Sequence, residues 1–182
     1  MATAPAATEA WQRGPVPGYE PLLMPVVHAL IQVSEELERL AAEVDNEETW
    51  LRPGGAASIG FHVRHAGGAL DRLFTYARGE MLSVPQRAAL RGEGEPGEPL
   101  THVVAGVRQQ IETALEQLRG TPRDRLLEER RVGRAGLPST VLGLLFHAAE
   151  HCTRHAGQAL TTARILRGTR AEQGGAAQGR TS

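Results

Sequence analysis

The chain is short of the residues that would tie it to several broad classes of protein. It has a single cysteine, Cys152, so no internal disulfide can form and nothing in the cysteine usage requires an oxidising compartment. It has no lysine: all 20 residues of its Lys+Arg count are arginine, a bias that, with the abundant Ala and Gly, reflects base composition more simply than chemistry. Aromatic residues are only 4% although apolar residues reach 41%. A core poor in large rings and rich in Leu, Ala and Val suits packed helices better than a sandwich or a barrel. Charge of one sign is also missing: the formal net charge is −1, which provides no electrostatic drive toward nucleic acid or an anionic membrane. No apolar run approaches the roughly 18 residues of a membrane span. The opening "MATAPAATEAWQRGPVPG" lacks the basic stretch followed by an apolar run that marks a secretory signal. These absences predict a soluble, cytoplasmic protein, and 182 residues suit one domain with loose ends.

What is present is helical period. Leu23, Val26, Val27, Leu30, Val33, Leu37, Leu40 and Val44 recur at three- and four-residue steps and predict an amphipathic helix over 21–45, with Pro25 admissible only in its first turn. "WLRPGG" then halts the chain, Ser58 is a fitting N-cap, and Gly79 closes a second helix. The stretch "MLSVPQRAALRGEGEPGEPL" has breakers without a sustained period and reads as a long loop with at most one short turn; such loops often cover a site. Leu100, Val103, Val104, Val107, Ile111, Ala114, Leu115 and Leu118 form the plainest stripe, ending at Gly120. A fourth helix is predicted from "LPSTVLGLL", with Pro138 in its first turn, to about Arg167. The expected architecture is all-α, an antiparallel four-helix bundle over residues 20–168. Residues 1–19 are expected to form a flexible N-terminal segment and residues 169–182 a disordered tail.

The chemistry gathers in "LLFHAAEHCTRHAGQAL", where His147, His151 and His155 follow each other at four-residue steps. At about 100° per residue they drift only about 40° apart on the wheel, so imidazoles on adjacent turns can converge on one cation. His147 and His155 are two turns apart, about 11 Å, too far to share an ion at bonds of about 2 Å. His147 is therefore read as supporting or structural. A divalent ion needs a further ligand from a facing helix, and "GFHVRHAGG" offers His62 and His65. His65 is the better placed; His62 reads as a hydrogen-bonded core residue. Three protein nitrogens with an open position is the catalytic arrangement, whereas structural sites are usually closed. His28 and His102 stand alone. Cys152 lies about 100° from His151 and reads as a small core residue facing a neighbouring helix. Glu150 pairs with Arg154 by spacing. Arg72, on the His65 stripe, either anchors an anionic substrate group or forms a salt bridge at the bundle's end.

The pairing of "SIGFHVRHAGG" with "HAAEHCTRHAGQ" resembles the DinB-like (YfiT-like) superfamily of small bacterial proteins over roughly residues 20–167. The late element runs His151, His155, Gly157, Gln158; the early one matches Trp50, Pro53 and His65. Many members carry arginine where this chain has Ala156. The resemblance implies that His65, His151 and His155 hold a divalent metal, most often zinc or nickel. It suggests that Gly157 allows a close helix approach and that Gln158 orients a ligand or a neighbour. It also implies frequent homodimers and, in some relatives, thiol-dependent chemistry with bacillithiol or mycothiol on a small-molecule substrate. The functional expectation is a metal-dependent enzyme, first a low-molecular-weight-thiol S-transferase. The alternatives are a metal-dependent hydrolase and a non-enzymatic metal-binding stress-response bundle.

Overall fold

A computed structural model describes the backbone of residues 8–178 and the side chains of residues 8–170. Four long helices form the body: α1 (Met24–Glu43), α2 (Ile59–Ala77), α4 (Leu100–Arg119) and α5 (Val141–Gln178), with a short α3 (Val84–Gly92) between the second and third of them. The apolar stripes read from the sequence are the buried faces. Val26, Val27, Leu30, Val33, Leu37 and Leu40 of α1 meet Leu100, Val103, Val104, Val107, Ile111, Ala114 and Leu118 of α4 in one core. Each large aliphatic side chain buried there contributes about 1.5–3 kcal/mol. None of the helices is long and apolar enough to cross a membrane.

α1 and α2 each pack against both α4 and α5, and so lie diagonally across the bundle from one another. Side-chain pairings set the directions. Arg108 of α4 reaches Glu38 of α1, and His65 of α2 meets His151 of α5 while His62, earlier in α2, meets His155, later in α5. Gln117 of α4 bonds the Phe74 carbonyl of α2, and Arg167 of α5 pairs with Glu43 of α1. Each helix thus has one antiparallel and one parallel neighbour, an order that needs the long connections this chain has.

Local chemistry sets the helix ends. The Ser58 hydroxyl accepts from the Phe61 amide and caps α2, as its sequence suggests. Gly79 follows α2 with φ 83°, a left-handed conformation that glycine adopts without steric penalty. Ahead of α2, the Trp50 ring packs onto Gly60, where an added Cβ would come within 2.8 Å of the ring, and its indole N–H donates to the Glu98 carbonyl.

Three features depart from the sequence reading. The predicted loop after α2 contains α3, nine residues opened by a reciprocal capping box between Ser83 and Gln86. All of its side chains lack full burial, so no apolar stripe announced it. The fourth helix starts later than predicted. Leu137–Thr140 is a strand, β2, paired antiparallel with β1 (Glu129–Val132), and the Thr140 hydroxyl accepts from the Gly143 amide at the true start of α5. Strands this short carry too little alternation to be seen, and Pro138, without an N–H, is tolerated in a two-stranded edge. Finally, α5 stays helical to Gln178, through the first ten residues of the expected tail. Extending an existing helix costs little beside nucleating one, and Arg170 is held by Asp45 at 2.8 Å. Residues 179–182 of the expected tail lie outside the described residues, as do residues 1–7 of the N-terminal segment. The rest of that segment lies on α1: Ala10 is buried, its amide donates to Gln32, and His28 bonds the Gly14 carbonyl.

Candidate metal centre

The antiparallel pairing of α2 and α5 sets His65 opposite His151 and His62 opposite His155. His65 Nε2 and His151 Nε2 are 2.9 Å apart, and His62 Nδ1 and His155 Nδ1 are 3.1 Å apart. The His155 ring lies 4.5 Å from that of His65 and 4.6 Å from that of His151, centroid to centroid. One ring nitrogen from each of His65, His151 and His155 lies within 4.8 Å of the other two. The helices can come this close because the seam is built of small residues. Ala66, Ala148, Cys152 and Ala156 are all buried there. The Cys152 thiol donates to the Ala66 carbonyl, and burial pushes its pKa up to about 12; it is the core residue its wheel position predicts.

His151, His155 and His62 are held toward the neutral form. Burial, and then the neighbouring His65 and His151, push His155 from an ordinary 6.5 down to about 4. Burial first and His65 second also lower His151 and His62. Neutral imidazole is the form with a lone pair to give a metal. For His65 the orientation is set as well. Its Nδ1 lies 2.6 Å from Glu93 Oε2; the carboxylate can only accept, so Nδ1 is the nitrogen that donates and Nε2 is the one that faces the cluster. Phe61 stacks flat on the same ring at 5.3 Å.

The donor set fits a divalent ion of the zinc type. His151 Nδ1 is buried without a hydrogen-bond partner, whereas a histidine kept for packing normally has its ring nitrogens satisfied. No fourth His, Cys, Asp or Glu joins the three within that distance among the described residues.

The other candidates fall outside the trio. His62 bonds His155 from the side, as a core histidine should. His147 is exposed, with Nδ1 3.5 Å from Glu150. Glu150 also holds Arg154, and that contact, before any other, keeps its carboxyl below the usual range. His102 is exposed. Of the two readings of Arg72, the salt bridge is the one formed: Arg72 is buried with Nη1 2.5 Å from Glu93 Oε1, beside the histidines rather than at the bundle's end. Gly157 does not serve a close helix approach, since a Cβ there would meet nothing within 4 Å, and Gln158 is exposed beside it. Both sit on the outer flank of α5.

Glu93 is the residue sequence reasoning missed. It lies in "RGEGEPGE", where nothing separates it from Glu95 or Glu98; only the chain's path past α3 brings it to the histidines. A groove of about 520 Å³ between α1 and α4, lined by residues such as Glu38, Val104 and Arg108, lies away from the cluster, and another of about 500 Å³ runs past Arg64, Gly68 and Glu93.

Comparison with curated proteins finds no match. Among solved structures, a conserved protein from Enterococcus faecalis is similar in fold, with a TM-score of 0.58 at 18% identity over 80% of this chain and 97% of that one. The family model of the DinB superfamily matches residues 29–159, from within α1 to within α5 and across all three clustered histidines. With a match of that extent over most of its length, the chain belongs to the DinB superfamily.

Proposed function

We propose that the protein is a metal-dependent enzyme that transfers a low-molecular-weight thiol, of the bacillithiol or mycothiol type, to a small electrophile. The observation that carries the reading is the cluster itself, with three imidazoles gathered and no fourth protein ligand among the described residues. That count favours an open, catalytic site over a closed structural one. His65, His151 and His155 hold the ion, zinc or nickel. A divalent ion there supplies Lewis acidity, which ionises a coordinated thiol at neutral pH.

The chain's own residues prepare that position. The lowered pKa values of His151 and His155 keep both rings unprotonated in the physiological range. Glu93 keeps the proton of His65 on the nitrogen that faces away from the cluster. Phe61 covers the flat side of the His65 ring. Arg72, committed to Glu93, acts in this reading through that carboxylate rather than on the substrate. The homodimer implied by the resemblance belongs to the same proposal, and sedimentation equilibrium reads it directly.

The test is an assay of untagged, metal-loaded protein with each thiol and a panel of chlorinated or epoxide electrophiles, with His151→Ala as control. The expected result is metal-dependent formation of an S-conjugate that His151→Ala abolishes. Metal-dependent hydrolysis of activated esters without any conjugate would replace transfer by hydrolysis, which uses the same three nitrogens. Neither activity in a metal-loaded protein would leave a binding role.

A further inference from the structure

We infer that Glu93 is a positioning residue of the metal centre, fixing which nitrogen His65 presents, and that Gly68 is glycine so that Glu93 can reach it. The inference rests on the three-histidine reading above and concerns residues outside that trio.

The carboxylate is divided between two partners. Oε2 accepts from His65 Nδ1 at 2.6 Å and Oε1 accepts from Arg72 Nη1 at 2.5 Å, and Glu93 is only 4% exposed. Burying a carboxylate is unfavourable unless it is paired and hydrogen-bonded. Arg72 supplies the opposite charge, which leaves the second oxygen free to orient one imidazole. Packing alone would be met more simply by an apolar side chain.

Gly68 supports the same view from α2. A Cβ built there would lie 2.3 Å from Glu93 Oε1 and 2.8 Å from Arg72 Nη1. Glycine in a helix interior is destabilising relative to alanine, and here it clears the space in which the carboxylate and guanidinium meet. The segment that delivers Glu93 is tied down by polar contacts instead of a core. Gln86 donates to Asp71 and Thr75 at 2.9 and 2.8 Å, and Arg64 donates to the carbonyls of Gly92 and Glu95 at 3.2 and 2.7 Å. α3, within that segment, buries none of its residues. What the segment does bury is Glu93, against the one histidine that α2 gives to the cluster.

Carboxylates behind a ligating imidazole fix its tautomer and raise its basicity, and losing one typically costs about 10–100-fold in metal affinity. The experiment is cobalt(II) titration of untagged, metal-free wild type, Glu93→Ala, Glu93→Gln and Gly68→Ala, followed by visible absorption, with circular dichroism to confirm that each is helical. Wild type should take about one ion per chain. Glu93→Ala should bind about 10–100-fold more weakly with displaced ligand-field bands. Glu93→Gln should recover part of both, because its side-chain carbonyl still accepts from Nδ1–H. Gly68→Ala should follow Glu93→Ala although it changes no polar group. If Glu93→Ala fails to fold, the Gln and Gly68 variants decide. Wild-type affinity and bands in these variants would overturn the role of Glu93 and leave the metal site standing. A wild type that takes up no cobalt would overturn the site and this inference together.

Discussion

The two sides of the bundle differ in what they hold besides aliphatic bulk. Where α1 meets α4, the contact is made of volume: Leu30, Leu37, Leu40, Val104, Ile111 and Leu118, all nearly inaccessible. α2 and α5 also bury large side chains such as Val63, Leu70 and Leu145, but between them lie the small residues Ala66, Cys152 and Ala156, with imidazoles alongside. The first side contributes volume alone. The second draws two helices close enough for four rings to touch, and leaves His151 Nδ1 unsatisfied. The chemistry is thus confined to one seam, and the two seams can be disturbed separately.

The largest effect on stability is expected on the aliphatic side. Leu37→Ala or Ile111→Ala leaves a cavity where a fully buried side chain stood, and each should cost about 2–5 kcal/mol by denaturant unfolding. Metal bound per folded chain should not change. Loss of metal by the folded fraction would break the division between the seams.

A smaller, pH-dependent effect belongs to the histidine side. His155 titrates at about 4 in the folded chain against an ordinary 6.5, so the unfolded chain binds more protons between those values. Metal-free protein should therefore lose stability as the pH falls from about 6.5 toward 4, and His151 and His62 act in the same direction. Urea midpoints measured through that window should slope less in His155→Ala than in wild type. Equal slopes would mean that the rings are not held neutral by the fold.

The smallest effect is expected at Cys152. Its thiol is buried, its pKa is raised to about 12 and it donates to the Ala66 carbonyl. Cys152→Ser keeps that donor and should shift stability by only about 1 kcal/mol. Iodoacetamide at pH 8 should label wild type only after unfolding. Rapid labelling of the native protein would show the α2–α5 seam to be looser than its small residues imply.

How far the sequence carried each feature follows from where its signal resides. The stripes of α1 and α4 are legible because apolar burial repeats with the helical turn. The His151–His155 pair is legible for the same reason, since four-residue spacing puts both rings on one face. α3 escaped because a helix without buried residues has no stripe, and its only mark was the Ser83–Gln86 box. The hairpin escaped because Glu129–Val132 and Leu137–Thr140 are too short to alternate. Glu93 could not be read at all: its partners, His65 and Arg72, are 28 and 21 residues away, and only the path of the chain selects it from its acidic neighbours. The glycines make the same point. Gly157 lies in the family motif yet faces open space, while Gly67 and Gly68 would each bring a Cβ within 3 Å of another side chain.

The most direct test of the central claim is metal content by mass spectrometry. It needs untagged wild type and His151→Ala, purified without chelator and supplied with zinc or nickel. About one divalent ion per chain in the wild type, and almost none in a His151→Ala protein that still melts cooperatively, is the predicted result. Wild type that retains no ion after reconstitution would contradict the account, and the touching imidazoles of α2 and α5 would then be packing alone.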